Sequence, residues 1–437
     1  MQIARNIYLY PYSPDKSIIY SPIARKMLLI DAEEADMLKC GKTEYVCPES
    51  LKANAILTKY IPVAQQPKVE KPEDYTLLTV LPTNKCNFGC SYCYAAAGRD
   101  ASTLDIVRLK VAIDFFLNSK PKGFHKGLSI SFMGGGEPLM AFDLVKEGTE
   151  YARERALERQ LRLSVRVITN GSLVDEYFIR FCKEHKVEVS VSFDVIEEVQ
   201  NSQRGKYEKV ANAITTMCEA GLSVQINTTV TPLNVDSMPE MLRTIHERWP
   251  KVHAVMMEHV SGRMDMNDAQ LVAFLDTYRK NFITCLKLGK DYGISVTSFA
   301  YLRTIFPLER ACPGELCITS HGDITGCYCV GSPKAPLYNE TKYGRVNSDG
   351  VTLDEESYRK LMDTNVYSYP ECQDCEVKWN CGGGCYYQNH TNDVTYRKVM
   401  CNFTRQLVTD IIRYRVDQYL INLKENIQLP ILIENKE

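Results

Sequence analysis

Residues 86–93 read CNFGCSYC, which places three cysteines within eight residues. The stretch directly follows TLLTVLP (76–82), an apolar run with the β-branched residues typical of a buried strand. A disulfide uses two thiols, and a structural zinc site usually takes four ligands. A four-iron cluster normally has four thiolate ligands, so three thiols would leave one iron open. The possible interpretations of this loop are therefore an iron–sulfur cluster, a zinc knuckle, although no fourth ligand lies nearby in the sequence, or three unrelated buried cysteines.

The composition is that of an ordinary globular protein with room for two or three domains. The 437 residues are 45% hydrophobic and 24% charged, with a formal net charge of −2, which gives no reason to expect nucleic acid or an anionic membrane as partner. We find no secretory signal and no apolar run long enough to span a bilayer, so we expect a cytoplasmic protein. In a reducing compartment the 17 cysteines are expected to be metal ligands or catalysts rather than disulfides.

From about residue 76 the sequence alternates between strand and helix patterns. Strands are predicted at 76–82, 127–133, 163–169, 187–193, 222–230 and 252–258, and helices at about 103–118, 142–158, 173–185, 205–220, 235–248 and 267–289. This order requires a parallel sheet with right-handed crossovers. Six such units can form an open barrel or a doubly wound sheet, and composition does not separate the two.

The rest of the chain differs in character from this α/β unit. We divide the sequence into an α+β region (1–62), a polar, proline-containing linker (63–75), the α/β unit (76–300), a Cys-, Gly- and Tyr-rich region (301–405), and a C-terminal helix with its tail (406–437). The C-terminal helix pattern itself runs from about 402 to 424. The Cys-rich region shows short strands at most, so we expect metal ligation to replace a large apolar core there.

The cysteine loop resembles that of the radical S-adenosylmethionine (SAM) superfamily. The CX3CX2C spacing matches, and Tyr92 stands where an aromatic residue is usual. The resemblance implies a partial (β/α)6 barrel and a 4Fe–4S cluster on Cys86, Cys90 and Cys93, with SAM bound to the open iron. An electron from a flavodoxin- or ferredoxin-type donor would then cleave SAM to methionine and a 5′-deoxyadenosyl radical, which abstracts a substrate hydrogen.

Residues at further strand ends fit this resemblance, because parallel strands present binding groups at their carboxyl ends. The cofactor-binding residues that the resemblance implies are Tyr92, Gly135, Gly136, Glu137, Thr169, Asn170, Ser192, Asp194 and Arg204. The guanidinium of Arg204 suits a carboxylate because its planar fork matches it. Ordinary turns remain the alternative for the glycine and Asn-Gly segments, and a solvated surface charge remains the alternative for Arg204.

A second cysteine block reads CX9GX4C, a gap, CX2CX5CX3C, a gap and a last cysteine. It matches the seven-cysteine SPASM pattern of radical SAM enzymes, and with the barrel the resemblance covers about 76–405. The resemblance implies two auxiliary 4Fe–4S clusters: one on Cys372, Cys375, Cys381 and Cys401, the other on Cys312, Cys327 and Cys385, with Cys317, Cys329 or an open site as its fourth position. A pair of structural zinc sites is the alternative interpretation.

SPASM enzymes mostly act on peptides or proteins, which leaves two enzymatic hypotheses. The first is a maturase that installs a thioether, a carbon–carbon crosslink or a related change in a ribosomally made precursor peptide. The second is a sulfatase-maturating enzyme that forms formylglycine. Enzymes of the second kind generally begin close to the cluster loop and carry an Asp after the CX9GX4C cysteine. Here about 85 residues precede the loop and Tyr328 takes the place of that Asp, so both features favour the maturase.

Two further hypotheses concern binding. Residues 1–62 are a candidate leader-peptide-binding module, since such modules bind by adding a strand at a sheet edge; a cap that merely covers the barrel is the alternative. A non-catalytic metal-binding scaffold is the alternative to any enzyme, and it predicts that SAM is not cleaved. The sequence alone does not identify a catalytic acid or base.

Overall fold

A computed structural model describes residues 2–4, 6–23, 26–40, 71–124, 127–312 and 315–424. Residues 41–62 of the predicted α+β region, most of the predicted linker and the tail after residue 424 lie outside this range. Within the described part of the chain, no helix combines the length and apolar character needed to cross a bilayer.

The chain opens with a four-stranded antiparallel sheet. Its strands are β1 (Gln2–Ala4), β2 (Ile7–Ser13), β3 (Lys16–Ser21) and β4 (Lys26–Asp31), in that spatial order, and helix α1 (Ala32–Lys39) follows. Successive strand residues point to opposite faces, and both faces are covered here. Ile7, Leu9 and Ile19 pack toward α1, whereas Tyr8 and Tyr10 face the C-terminal region. Two covered faces explain why these strands are almost continuously apolar.

The α/β unit contains every strand that the sequence predicts. The strands are β5 (Leu77–Val80), β6 (Leu128–Phe132), β7 (Leu163–Thr169), β8 (Val187–Ser192), β9 (Val224–Val230), β10 (Val252–His259) and a short unpredicted β11 (Ser295–Thr297). The helices are α2 (Ile106–Asn118), α3 (Phe142–Glu158), α4 (Glu176–Glu184), α5 (Glu197–Gln203), α6 (Tyr207–Glu219), α7 (Met238–Arg248), α8 (Asp268–Tyr292) and α9 (Phe299–Ile305). Helices α5 and α9 are additions to the prediction.

The strand order decides between the two predicted architectures. Strands β5 to β11 are neighbours in chain order, and all their pairs are parallel. A doubly wound sheet reverses its order at a switch point, and β5 to β11 contain no reversal. Right-handed crossovers in one direction put the helices on one face, around which the sheet curls. In β7, Val165 and Val167 are buried beneath the helices, and Arg166 between them is exposed on the inner face. The unit is a partial barrel.

The Cys-rich region continues the barrel sheet rather than forming a separate one. Its elements are β12 (Leu316–Ile318), β13 (Asp323–Thr325), α10 (Tyr338–Thr341), β14 (Lys342–Val346), β15 (Val351–Leu353), α11 (Glu355–Met362), α12 (Lys378–Cys381), α13 (Tyr386–Thr391) and α14 (Val394–Lys424). Strand β12 pairs in parallel with β5, and the next three strands extend the sheet in antiparallel fashion. Helix α14 begins eight residues before the predicted position, so the predicted division at residue 405 falls inside a helix.

Candidate iron–sulfur and SAM site

The three-cysteine loop lies at the carboxyl end of β5, the edge where parallel barrels place their active sites. Cys86, Cys90 and Cys93 are each partly buried. Burial raises the pKa of Cys86, and the charge of Cys93 raises it further. Burial also raises the pKa of Cys90, with the charges of Cys93 and Cys86 adding to the effect. The charges of the three thiols therefore act on one another.

Arg99 is a neighbour of this loop that the sequence analysis missed. Its Nη2 donates to Cys93 Sγ at 3.3 Å, and its Nη1 donates to the carbonyl of Phe88 at 3.0 Å. The arginine also lowers the pKa of Cys86. A cation beside thiols favours the thiolate form that binds metal. The only sequence signal was a basic residue six positions after the third cysteine.

The glycine segment after β6 packs directly against the chain that leads into the cysteine loop. Gly136 N donates to Thr83 O at 2.9 Å. A Cβ on Gly136 would stand 1.9 Å from Lys85 O, and Gly135, at φ +85°, would bring one within 2.3 Å of Asn84 Oδ1. Gly136 is required because the backbone of Lys85 approaches it closely, and Gly135 because of its positive φ and the nearby Asn84 side chain.

Glu137 uses its side chain inside the protein. It is 2% exposed. Its Oε1 accepts from Thr169 Oγ1 at 2.6 Å and from Leu139 N at 3.1 Å, and its Oε2 accepts from Asn170 N at 2.7 Å. Burial raises the pKa of Glu137, and these hydrogen bonds oppose the shift. The carboxylate thus joins the ends of β6 and β7.

Asn170 connects the end of β7 to the cysteine loop. Its Nδ2 donates to Asn87 Oδ1 at 2.9 Å, and Asn87 Nδ2 donates to Ser172 Oγ at 2.9 Å. Asn87 lies between the first two cysteines, so these contacts fix the loop from the side of β7. Thr169 and Asn170 lie where a turn was the alternative interpretation, and Asn170 also holds the cysteine loop through its hydrogen bond to Asn87.

Asp194, Tyr92 and Arg204 form one hydrogen-bonded chain beside the thiols. The Tyr92 hydroxyl donates to both carboxylate oxygens of Asp194, at 2.8 and 2.7 Å. Arg204 Nη1 donates to that hydroxyl at 2.9 Å. Burial raises the pKa of Asp194, and the charge of Arg204 lowers it.

Arg204 is not a solvated surface charge, so that alternative is wrong. Its guanidinium lies 5.8 Å from the Tyr92 ring centroid and 5.9 Å from that of Phe88. The charge of Arg204 lowers the pKa of Cys90. Its Nε is buried and has no hydrogen-bond partner in the described structure. Ser192, which is partly buried, ends β8 two residues before Asp194.

The second block brings together the four cysteines that the resemblance assigns to one auxiliary cluster. Burial and the charges of Cys375 and Cys401 raise the pKa of Cys372. Burial also raises the pKa of Cys381; Arg303 opposes this, and the charges of the other three cysteines add to it. Cys401 reaches the group from helix α14, so the cluster site joins two distant parts of the chain.

The remaining cysteines of the block lie around Cys327. A hydrogen bond between the Cys327 and Cys329 thiols lowers the pKa of Cys327 and raises that of Cys329. The charge of Cys327 also raises the pKa of Cys385. Cys317 is fully buried on β12, near Cys327 and Cys312, and it hydrogen-bonds to Thr325. Both candidates for the fourth position are therefore close to Cys327.

Glu315 is a second residue that the sequence analysis missed. Burial and the charge of Cys327 raise its pKa to about 8, although the backbone N–H of Tyr328 donates to the carboxyl group. Its Oε2 is buried without a hydrogen-bond partner in the described structure. A buried carboxyl oxygen with no partner is costly. No pattern in the sequence points to Glu315, because a single Glu near a cysteine is common.

Two tyrosine rings lie between the three-cysteine loop and the cysteines around Cys327. The rings of Tyr94 and Tyr328 meet edge to face at 5.8 Å. Burial raises the pKa of both phenols, and the charge of Cys329 adds to each shift. The charge of Cys93 also acts on Tyr94. This pair therefore connects the surroundings of the first loop to those of Cys327.

The donor sets fit iron–sulfur clusters by their chemistry, because thiolates are the ligands that 4Fe–4S clusters take. Thiolates also bind zinc, so structural zinc remains the alternative interpretation of the second block. Among residues whose positions are described, no group of three His, Cys, Asp or Glu side chains is arranged to hold a metal ion.

Comparisons with known proteins agree with this arrangement. The radical SAM cyclopropyl synthase TigE of Paramaledivibacter caminithermalis is 21% identical over 388 residues, covering 80% of this chain and 78% of TigE. The cysteine-type anaerobic sulfatase-maturating enzyme of Clostridium novyi is 20% identical over 347 residues, covering 71% of this chain and 89% of that enzyme.

Two solved structures share the fold. The structure of anSMEcpe with bound AdoMet and the Cp18Cys peptide superposes with a TM-score of 0.61 at 19% identity, covering 80% of this chain and 99% of that one. Streptococcus suis SuiB bound to precursor peptide SuiA superposes with a TM-score of 0.55 at 15% identity, covering 90% and 97%. Residues 80–245 match the sequence profile of the Radical SAM superfamily. With its cysteine loop, glycine segment and parallel strands, this part of the chain is a radical SAM domain.

Proposed function

We propose that this radical SAM enzyme carries three 4Fe–4S clusters and modifies a ribosomally made precursor peptide, installing a crosslink or a related change. The arrangement of Cys86, Cys90 and Cys93 carries the proposal. A cluster on these thiols would supply the electron that cleaves SAM to a 5′-deoxyadenosyl radical. Arg99 favours their thiolate form, and the glycine segment holds the loop in position. Asp194, Tyr92 and Arg204 provide a carboxylate and a guanidinium for the polar ends of SAM.

The auxiliary clusters of the proposal use the second cysteine block. Cys372, Cys375, Cys381 and Cys401 supply four thiols for one cluster. Cys312, Cys327 and Cys385 supply three thiols for the other, and Cys329 is the favoured fourth ligand because its thiol already contacts that of Cys327. Iron–sulfur ligation would then stabilise a region whose sequence shows no large apolar pattern.

Two observations support a peptide substrate of the precursor type. SuiB was solved with a precursor peptide, and its superposition covers 90% of this chain, against 80% for anSMEcpe. This chain also has an ordered sheet ahead of its cysteine loop, with strands β2 to β4 and helix α1. The larger overlap with SuiB is what a maturase with an N-terminal module predicts.

A sulfatase-maturating activity is the second candidate. The anSMEcpe superposition has the higher TM-score, and sulfatase-maturating enzymes are among the sequence relatives. Tyr328 argues against it, because the resemblance expects an Asp at this position. Glu315 favours the sulfatase-maturating activity, since its carboxyl group lies next to Tyr328 N, where it would take the place of that Asp.

One experiment separates the two candidates. The reduced enzyme would be incubated with SAM and either a precursor peptide encoded near the gene or a sulfatase-derived peptide containing Cys. We expect the precursor to lose two hydrogens for each crosslink, with substrate deuterium recovered in 5′-deoxyadenosine. Formylglycine in the sulfatase peptide, with an unchanged precursor, would instead support the second candidate.

The N-terminal sheet is the proposed leader-binding module, and β4 is the proposed edge. No strand in the described structure pairs with the outer side of β4. An extended leader could add there as a further strand. The packing of the sheet against the C-terminal region supports this proposal over a barrel cap. Deleting the region would expose a buried core, so hydrogen exchange is the better test. Added leader should protect Lys26–Asp31 but not Leu163–Thr169, and protection without β4 would contradict the proposal.

A further inference from the structure

Arg99 makes a direct contact to a sulfur of the three-cysteine loop. Its Nη2 donates to Cys93 Sγ at 3.3 Å, and its Nη1 donates to the carbonyl of Phe88 at 3.0 Å. Phe88 lies between Cys86 and Cys90, so one guanidinium joins the two halves of the loop. The Nε atom of Arg99 is buried, and a buried charge is screened by salt much less than an exposed one.

The residues on either side of Arg99 are held by the Cys-rich region. The carbonyl of Gly98 accepts from Ser332 Oγ at 2.6 Å, and Asp100 Oδ2 lies 2.8 Å from His321 Nε2. His321 lies in the turn between β12 and β13, and Ser332 lies in the loop that follows β13. The backbone of Arg99 is therefore fixed on both sides by residues more than 220 positions further along the chain.

Further hydrogen bonds fix Asp100 between the barrel and the Cys-rich region. Its Oδ1 accepts from Ser102 N at 2.9 Å and from Asn84 Nδ2 at 3.1 Å. The hydroxyls of Ser102 and Ser320 lie 2.6 Å apart, and Asn84 Nδ2 also donates to the carbonyl of Gly331 at 3.2 Å. The chain that follows the cysteine loop is thus attached to the Cys-rich region at several points.

The second arginine beside the loop has a different partner. Arg204 Nη1 donates to the Tyr92 hydroxyl at 2.9 Å, and that hydroxyl donates to Asp194. Arg204 therefore faces the polar groups assigned to SAM, whereas Arg99 faces the sulfur of Cys93.

We propose that Arg99 donates a hydrogen bond to the sulfur of Cys93 in the cluster-bound enzyme and thereby raises the reduction potential of the cluster that cleaves SAM. The Cys-rich region holds Arg99 in this position through its contacts to Gly98 and Asp100. The inference rests on the proposed function, since it needs a cluster on the three-cysteine loop. Hydrogen bonds to cluster sulfurs are one of the means by which proteins set such potentials.

Charge determines the direction of the effect. The reduced cluster carries one more negative charge than the oxidised cluster, so an N–H donated by a cation stabilises the reduced form more. Arg99 is a tuning residue under this proposal, because it touches a ligand of the cluster and not the substrate. His321 is a positioning residue, because it acts through Asp100 on the placement of Arg99.

The test is a redox titration of the full-length, iron-loaded protein followed by electron paramagnetic resonance. The signal of the first cluster is the one missing from the variant with Cys86, Cys90 and Cys93 replaced by Ala. Arg99→Met keeps the length of the side chain but removes the donor and the charge. At a fixed potential it should lower the reduced-to-oxidised ratio of the first cluster about tenfold, which corresponds to about 59 mV for one electron. Arg155→Met, which breaks an ion pair between α2 and α3, is the matched control and should leave the potential unchanged.

A second variant tests the hold of the Cys-rich region. His321→Ala removes the partner of Asp100 but leaves Arg99 and every cysteine in place. It should lower the same potential by a smaller factor than Arg99→Met does, with the iron content unchanged. An unchanged potential in His321→Ala overturns the positioning role of the Cys-rich region.

A further measurement needs no variant, so it decides the matter even if Arg99→Met loses iron. In protein labelled with 15N-arginine, pulsed electron paramagnetic resonance of the reduced first cluster should show coupling to a guanidinium nitrogen, and iron-loaded Arg99→Met should lack it. An intact first cluster with unchanged potential in Arg99→Met and no such coupling overturns the inference and leaves the proposed function standing. Absence of iron from the three-cysteine loop would overturn both.

Discussion

At the scale of single residues, the site depends on polar groups buried beside thiols. Tyr92 illustrates this, since one hydroxyl connects the carboxylate of Asp194 to the guanidinium of Arg204. The sequence predicted all three residues as cofactor ligands, through resemblance. It did not predict that they contact one another, because sequence separation of about 100 residues carries no such information.

Tyr92→Phe should weaken SAM cleavage while the protein remains folded. The variant keeps the aromatic ring but leaves Asp194 without its hydroxyl donor, and Arg204 loses its anchor. Loss of an outer-shell partner at a metal site typically costs about 10- to 100-fold in activity or affinity. The measurement is the rate of 5′-deoxyadenosine formation at saturating reductant, with Tyr177→Phe on the outer helix α4 as control. Equal rates in both variants would contradict the role given to Tyr92.

Glu315 should make stability depend on pH. Burial raises its pKa to about 8, so the folded protein keeps the proton where the unfolded chain releases it. Its stabilising contribution is fully present below the ordinary carboxyl pKa and declines as pH rises to about 8. Thermal unfolding of the wild type and of Glu315→Gln should diverge over this range, with the wild type losing more. Glu154→Gln, on the exposed side of α3, serves as control. A pH-independent difference would contradict the prediction.

At the scale of elements, close packing between loops and strands positions the cysteine loop. Gly136 has no room for a side chain, because its Cβ would stand 1.9 Å from Lys85 O. We expect Gly136→Ala to displace the chain entering the loop and to cost about 1–3 kcal/mol or more, as overpacking does. Iron content and melting temperature should both fall. Gly127→Ala, at the start of the same strand with open space around it, should change neither. Full iron loading of Gly136→Ala would contradict the claim.

Most strands and helices of the barrel could be predicted from the sequence, and the elements that were missed have physical reasons. Runs such as VEVSVSF and LSVQINTTV fixed the barrel strands, since fully packed strands carry β-branched residues. Helix α5 was missed because its pattern, EEVQNSQ, is polar. The pairing of β12 with β5 was missed because three-residue strands leave almost no periodicity, and pairing between distant strands is a tertiary property. The early start of α14 was missed although Tyr396, Val399 and Met400 pack against the barrel core, because the charged pair Arg397 and Lys398 interrupts the apolar pattern there.

At the scale of the whole molecule, the two ends of the chain stabilise each other. Tyr8 and Ile18 of the N-terminal sheet are buried against Val408 and Ile412 of α14, beside Cys372. The barrel core is a different one, and it extends into β12 to β14 and along one side of α14, where Leu407 and Ile411 belong to it. The N-terminal sheet therefore belongs structurally to the cluster region, which the sequence divisions did not anticipate.

Removal of iron should affect the two cores differently. In the apoprotein we expect faster amide exchange in Ile7–Ser21, because the four-cysteine site and the sheet share a core. Strands β6 to β10 should lose less protection, because the cluster cysteines that pack against their core, Cys86 and Cys90, are only partly buried against it and lie in the loop after β5. Hydrogen exchange with and without iron measures this directly. Loss of protection across the barrel at the same rate would contradict the division into two cores.

The central claim is that three thiols at the end of β5 hold a cluster that cleaves SAM. The most direct test is anaerobic reduction with dithionite in the presence of SAM, followed by chromatography for 5′-deoxyadenosine. The account predicts that the wild type forms this product and that replacing Cys86, Cys90 and Cys93 with Ala abolishes it while auxiliary iron stays bound. No 5′-deoxyadenosine from fully iron-loaded wild type, or undiminished product from the triple variant, would contradict the account.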